Sequence, residues 1–126
     1  MTTFDRRWPL DVILDAERAL VVQPDLFFIA RAGAAMVADK VRGAPDLVIE
    51  VLSPKPRVGD VDERVSWFRD YDVRECWLVH QTRRTLEVFQ FDAGRISSRR
   101  EHNPRDWIVS GVLPDFGRTL TAVLGY

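Results

Sequence analysis

The sequence predicts a mixed α/β domain, on three observations: a nearly continuous apolar strand over Asp46 to Leu52, a helix-spaced segment after it, and then a hairpin of alternating strands. The chain has 126 residues, enough for one domain over 1–126. With 46% hydrophobic and 29% charged residues, the composition is that of a globular protein, not of a disordered or collagenous one.

In order along the chain, Leu10 to Leu14 and Leu20 to Ala30 are rich in Val, Ile, Leu and Phe and read as extended, broken by the turn-like Asp15-Ala16-Glu17. Pro24 must stand at a strand start or irregularity, because it has no N–H to give a ladder. Arg31 to Lys40 reads as a loop or short helical turn. Gly43-Ala44-Pro45 punctuates the chain before the Asp46–Leu52 strand, which suits a central position covered on both faces. Ser53 to Gly59 ends that strand. Val61, Val65, Phe68 and Tyr71 then repeat at helical spacing over Asp60 to Tyr71, with Asp60 as N-cap and Glu63 completing a capping-box pattern. Cys76 to Val79 reads as a strand, and Thr85–Phe91 and Arg95–Arg100 form a hairpin through Asp92-Ala93-Gly94. The tail predicts a short strand across Ile108-Val109 and Val112-Leu113, and a closing helix from Thr119.

A formal net charge of −1 and a pI near 6.1 give no global attraction to polyanions, so any nucleic-acid partner must be held by a local site. Of the 18 basic residues only Lys40 and Lys55 are lysines. The single cysteine, Cys76, excludes an internal disulfide and a Cys-based zinc knuckle, and its apolar surroundings predict a buried, inert thiol. No apolar run approaches the ~18 residues of a membrane span, and the N-terminus lacks the apolar core of a signal peptide. The expected compartment is the cytoplasm, with no membrane partner.

The informative feature is a set of carboxylates inside apolar strands, where an ionised group is costly unless paired or metal-bound. Alternation places Asp46, Val48, Glu50 and Leu52 on one face of their strand. Asp46 and Glu50 are then ~13 Å apart at ~3.3 Å per residue, too far to share an ion. Glu50 needs a partner from a neighbouring strand, and Asp25, opening Leu26-Phe27-Phe28-Ile29, is the candidate. Such a pair suits a hard cation, Mg²⁺ or Mn²⁺, completed by waters and a substrate phosphate. A strand-end cap or an arginine pair is the other reading of Glu50. On the helix, Arg64 projects between Phe68 and Tyr71 on the apolar stripe, where it can reach a phosphate or close on Glu50 or Asp25.

These residues carry a resemblance. Val22-Gln23-Pro24-Asp25-Leu26, Gly43 through Pro54, Asp60, Arg64 and Trp77-Leu78-Val79 resemble the Uma-two family, a bacterial group of restriction-endonuclease-like proteins in the PD-(D/E)XK nuclease superfamily. The resemblance runs from about Asp11 to Leu124. It implies a restriction-endonuclease-like mixed sheet flanked by helices, with Asp25 and Glu50 as metal ligands and the Val51 carbonyl as an additional one. The superfamily's lysine would stand at Leu52. In the Uma-two group it is displaced to the following helix, where this chain has Arg64, which keeps the positive charge but cannot act as a base at ordinary pH. Lys55, on the loop beyond the strand, is either a substitute or a solvated lysine. Only ten residues precede the segment matching the family's first shared strand, so the domain reads as N-terminally shortened. The uncovered sheet predicts a homodimer or an inactive remnant.

The expected function is metal-dependent hydrolysis of DNA phosphodiester bonds, with Asp25, Glu50, Arg64 and Lys55 as catalytic candidates and Asp46 in a secondary polar role. The alternative is a degenerate nuclease fold used for dimerisation or for binding DNA or protein. His80 and His102 read as surface or structural residues. Trp8, Trp67, Trp77 and Trp107 read as core or interface residues. Arg83-Arg84 and Arg99-Arg100 flank the hairpin as either a phosphate-contacting patch or a solvated face.

Overall fold

The computed structural model describes residues 2–3, 11–30, 33, 40–55 and 58–125; Trp8 and nearly all of the expected loop at 31–40 lie outside them. The elements are β1 (Thr2–Thr3), β2 (Val12–Asp15), β3 (Leu20–Val22), β4 (Leu26–Ile29), β5 (Val41–Arg42), β6 (Leu47–Leu52), α1 (Val58–Asp70), β7 (Glu75–His80), β8 (Thr85–Asp92), β9 (Arg95–His102) and α2 (Leu120–Leu124). One six-stranded sheet runs β1-β4-β6-β7-β8-β9, and a second, three-stranded sheet runs β3-β2-β5.

The apolar run at β6 becomes a central strand, antiparallel to β4 and parallel to β7. A parallel neighbour requires a crossover, and α1 supplies it. Beyond β7 the chain returns by tight turns, so β8 and β9 add antiparallel. Pro24 falls in the break between β3 and β4, as its missing N–H requires.

Strand alternation divides the core in two. On one face Val48, Cys76, Leu78 and Phe89 of the large sheet pack with Val65 and Phe68 of α1 and with Val12, Val22 and Val41 of the small sheet. On the other, Leu47, Ile49, Trp77, Val79, Leu86 and Val88 pack with Ile108, Val112 and Leu120 of the C-terminal segment. The large sheet is thus the middle of three layers.

Two local expectations are corrected. The helix begins at Val58, so Asp60 lies in its first turn, where its charge complements the helix dipole, rather than at the N-cap. At the other end Asp72 adopts φ 69° and the Val73 N–H donates to the Phe68 carbonyl at 3.1 Å, a left-handed stop that turns the chain into β7. The strand expected across Ile108–Leu113 does not form; the described tail makes one isolated bridge, Trp107 with Thr119. The closing helix does form, with the Thr119 side chain accepting from the Ala122 N–H and Gly125 at φ 74° as its C-cap.

Candidate active site

Glu50 projects from the middle of β6 toward α1, sharing a face with Val48 and Leu52 as the alternation requires. Leu26 pairs with Ile49, which sets Asp25, the residue before β4, alongside Glu50 and Val51. The Val51 N–H donates to Asp25 Oδ2 at 2.6 Å, fixing that carboxylate at the end of the strand pair. From above, Arg64 Nη2 donates to Glu50 Oε1 at 2.7 Å. The guanidinium carbon also lies 5.9 Å from the Phe68 ring centroid, so the apolar stripe of α1 supports the arginine.

Burial raises the Glu50 carboxyl above the ordinary carboxylate range; the Arg64 charge and hydrogen bond pull it down without cancelling the rise, and the Asp25 charge adds to it. The Glu50 carboxyl therefore senses the Asp25 charge across the strand pair, with the Arg64 guanidinium as its partial counter-charge.

The other sequence candidates fall outside this group. Asp46 serves the backbone, accepting from the Ala30 N–H at 2.6 Å and pairing with Arg74 Nη1 at 3.2 Å. Lys55 is exposed on the loop after β6 and makes no hydrogen bond or ion pair among the described residues. That loop is itself held by the β7–β8 turn, where Gln81 donates to the Leu52 carbonyl at 2.7 Å and Thr82 to the Pro54 carbonyl at 3.1 Å. Cys76 is buried, and burial pushes its thiol well above the ordinary range, so it is an inert core residue. Both histidines are structural: His80 bonds Glu87, and the buried His102 accepts the Val109 N–H at its Nε2, 3.1 Å away. Trp67 and Trp77 pack in the core, whereas Trp107 is 67% exposed.

Sequence reasoning missed two buried glutamates. Glu75, fully buried at the start of β7, accepts from Trp77 Nε1, Gln90 Nε2, Ser110 Oγ and the N–H groups of Gly111 and Val112. Glu87 on β8 gathers His80, Arg99 and Arg83. Their signal was an acid at an inward position of an alternating strand, the same signal that marked Glu50.

Among the described residues no three His, Cys, Asp or Glu side chains converge as a ready metal cage. Asp25 and Glu50 offer two hard carboxylates on neighbouring strands, and Mg²⁺ is commonly held by one or two carboxylates with waters and substrate phosphate completing its shell. The donor set therefore fits such an ion, provided that Arg64 yields its place on Glu50.

None of the curated proteins matches the chain. Among solved structures it resembles a crystal structure from Anabaena variabilis described as "a putative nuclease belonging to DUF820", with a TM-score of 0.70 at 15% identity. The match covers 83% of this chain and 60% of the other, so the chain spans less than two thirds of that protein. At that identity the likeness is one of fold. The profile of the Uma2 family, described as "Putative restriction endonuclease", matches residues 4–122, nearly the whole chain. The α/β sheet and its Asp25–Glu50 strand pair are thus those of a member of the Uma2 family, to which this chain belongs.

Proposed function

We propose that the chain is a nuclease that hydrolyses phosphodiester bonds in DNA with a divalent cation, Mg²⁺ or Mn²⁺, held by Asp25 and Glu50. The observation that supports this most is the pairing of those two carboxylates at one end of the β4–β6 strand pair, with the Arg64 guanidinium over them. The bound ion would polarise a phosphoryl oxygen and lower the pKa of the attacking water. Asp25 is pre-oriented by the Val51 N–H, and Val51 can add its carbonyl to the ligand set. Arg64 exchanges Glu50 for the scissile phosphate, which a guanidinium holds through two parallel hydrogen bonds, and Lys55 adds a second positive charge from its loop. A homodimer belongs to the same proposal, supported by the exposed apolar side chains of Val21, Leu26 and Val51. So does a cytoplasmic location; no helix among the described residues is long and apolar enough to cross a membrane.

The test is cleavage of supercoiled plasmid DNA by the purified protein with Mg²⁺ or Mn²⁺. Cleavage is expected, and Glu50→Ala or Asp25→Ala is expected to lower it at least a hundredfold with the circular-dichroism spectrum unchanged. The 2.7 Å Arg64–Glu50 ion pair favours a second reading, in which Arg64 is the permanent partner of Glu50 and the fold serves for dimerisation or for binding DNA or protein. Absence of both cleavage and cation-induced thermal stabilisation would establish that second reading over the first.

A further inference from the structure

On the same sheet face as Glu50, one strand further on, lies a cavity of about 380 Å³. It is near the lower end of the ~300–1,000 Å³ range of small-molecule sites, the size of one small ligand. It opens between α1 and β7–β9, and Leu78, which pairs in register with Glu50, stands in its wall without Glu50 itself taking part. Its apolar lining includes Val65 of α1, Leu78 of β7 and Phe89 of β8. Three arginines also line it, Arg69 on α1, Arg83 on the β7–β8 turn and Arg99 on β9, together with the acids Asp62 and Glu87.

Glu87 organises this charge. Its Oε1 meets His80 Nε2 at 2.7 Å and its Oε2 accepts Arg99 Nε at 2.8 Å. Held in this way, the Arg99 guanidinium lies over the Phe89 ring, 4.9 Å from its centroid, and forms a layered wall of the kind that planar rings stack on. Glu87 is thereby already matched by Arg99 and His80. Among the described residues Arg83 has one ion-pair contact, 3.8 Å from Glu87 Oε1 and too long for a hydrogen bond, and its side chain is 58% exposed. Among the described residues Arg69 pairs with its exposed sequence neighbour Asp70, a contact of little strength. The cavity therefore combines an apolar, stackable wall with two guanidinium groups whose hydrogen-bonding capacity is largely unused.

We propose that this cavity binds a nucleotide, with its phosphate on Arg83 and Arg69 and its base on the Arg99 plane that covers Phe89, beside the apolar lining of Val65 and Leu78. A free mononucleotide and a nucleotide within a strand present the same chemistry. The site does not use Asp25 or Glu50, so it stands or falls separately from the proposed nuclease centre. Glu87 is a positioning residue here, acting through Arg99.

Calorimetric titration with adenosine monophosphate, adenosine and inorganic phosphate at low salt tests the assignment. The monophosphate is expected to bind at least tenfold more tightly than either fragment. Arg83→Ala is expected to weaken it about tenfold with the melting temperature unchanged, since that side chain is exposed and makes no hydrogen bond among the described residues. Ser66→Trp, which fills the cavity from α1, is expected to abolish binding; if that variant does not fold, Arg83→Ala decides. A monophosphate that binds no more tightly than its fragments, or binding that Arg83→Ala leaves intact, overturns the proposal. A 5′-phosphorylated dA tetramer then separates the sources: tighter binding with the same Arg83 dependence assigns the site to a strand, and weaker binding assigns it to a free nucleotide.

Discussion

At Glu50 two opposing effects meet, and their balance sets a pH signature. Burial raises its carboxyl and Arg64 only partly offsets the rise. Between the ordinary carboxylate value and the raised one, the folded state binds more protons than the unfolded chain, so this group's contribution to stability grows as pH falls through that window. Replacing Arg64 by Met removes the offset and leaves a buried carboxylate unpaired. The loss expected at pH 7 is about 2 kcal/mol, below the ~3–5 kcal/mol of a fully buried broken pair because the Arg64 side chain is one-third exposed. Urea titrations of both proteins at pH 7 and pH 5 check this, and the deficit is expected to shrink at the lower pH. Glu87 behaves in the opposite sense: burial acts upward, but Arg99 and His80 together hold its carboxyl below the ordinary range. Its contribution is complete above that range and is lost as pH falls through the lowered value.

Among the elements, the C-terminal segment depends most on a contact far away in sequence. Ser110, Gly111 and Val112 converge on the Glu75 carboxylate and set Ile108, Val112 and Leu120 against the sheet. Glu75→Gln keeps the volume but brings an NH₂ group among donors that need an acceptor. It is expected to cost about 3 kcal/mol and to raise amide exchange selectively over residues 107–113, as hydrogen-exchange mass spectrometry would show. The same contact explains why this segment was not legible as sequence. Ile108-Val109 and Val112-Leu113 have strand-like composition, yet the Val109 N–H donates to the His102 ring, the Val112 N–H to the Glu75 carboxylate 37 residues away and the Leu113 N–H to the Ser110 hydroxyl, side-chain partners in place of a ladder. The start of α1 was misplaced for a local reason. Asp60 is the strongest capping type near that end, and nothing in Arg57-Val58-Gly59 advertises an earlier first turn. By contrast β6, β8 and β9 were legible because their apolar runs, alternation and Asp92-Ala93-Gly94 turn are local properties, and the left-handed φ of 74° at Gly94 is the one such a turn requires.

For the whole molecule, the order of strands decides what the carboxylates can do. Alternation along β6 places Glu50 on one face with Val48 and Leu52 and makes Asp25 and Arg64 its candidate partners; the β4–β6 register and the Arg64 hydrogen bond then set both of them beside it. The Glu87 cluster was not, since it needs β7, β8 and β9 to be laid side by side before His80, Arg83 and Arg99 meet. Sedimentation equilibrium is expected to give a mass twice the 14.5 kDa of the chain, as the proposed homodimer requires. A monomer at all concentrations would overturn the homodimer and leave the Asp25–Glu50 centre untouched.

That centre is tested most directly by titrating Mn²⁺ into the protein and following the free-ion paramagnetic resonance signal. Saturable binding is expected in the wild-type chain, lost in Glu50→Gln and in Asp25→Asn and strengthened in Arg64→Met, where the competing guanidinium is gone. No binding in the wild-type chain, or binding indifferent to both carboxylate substitutions, would contradict it.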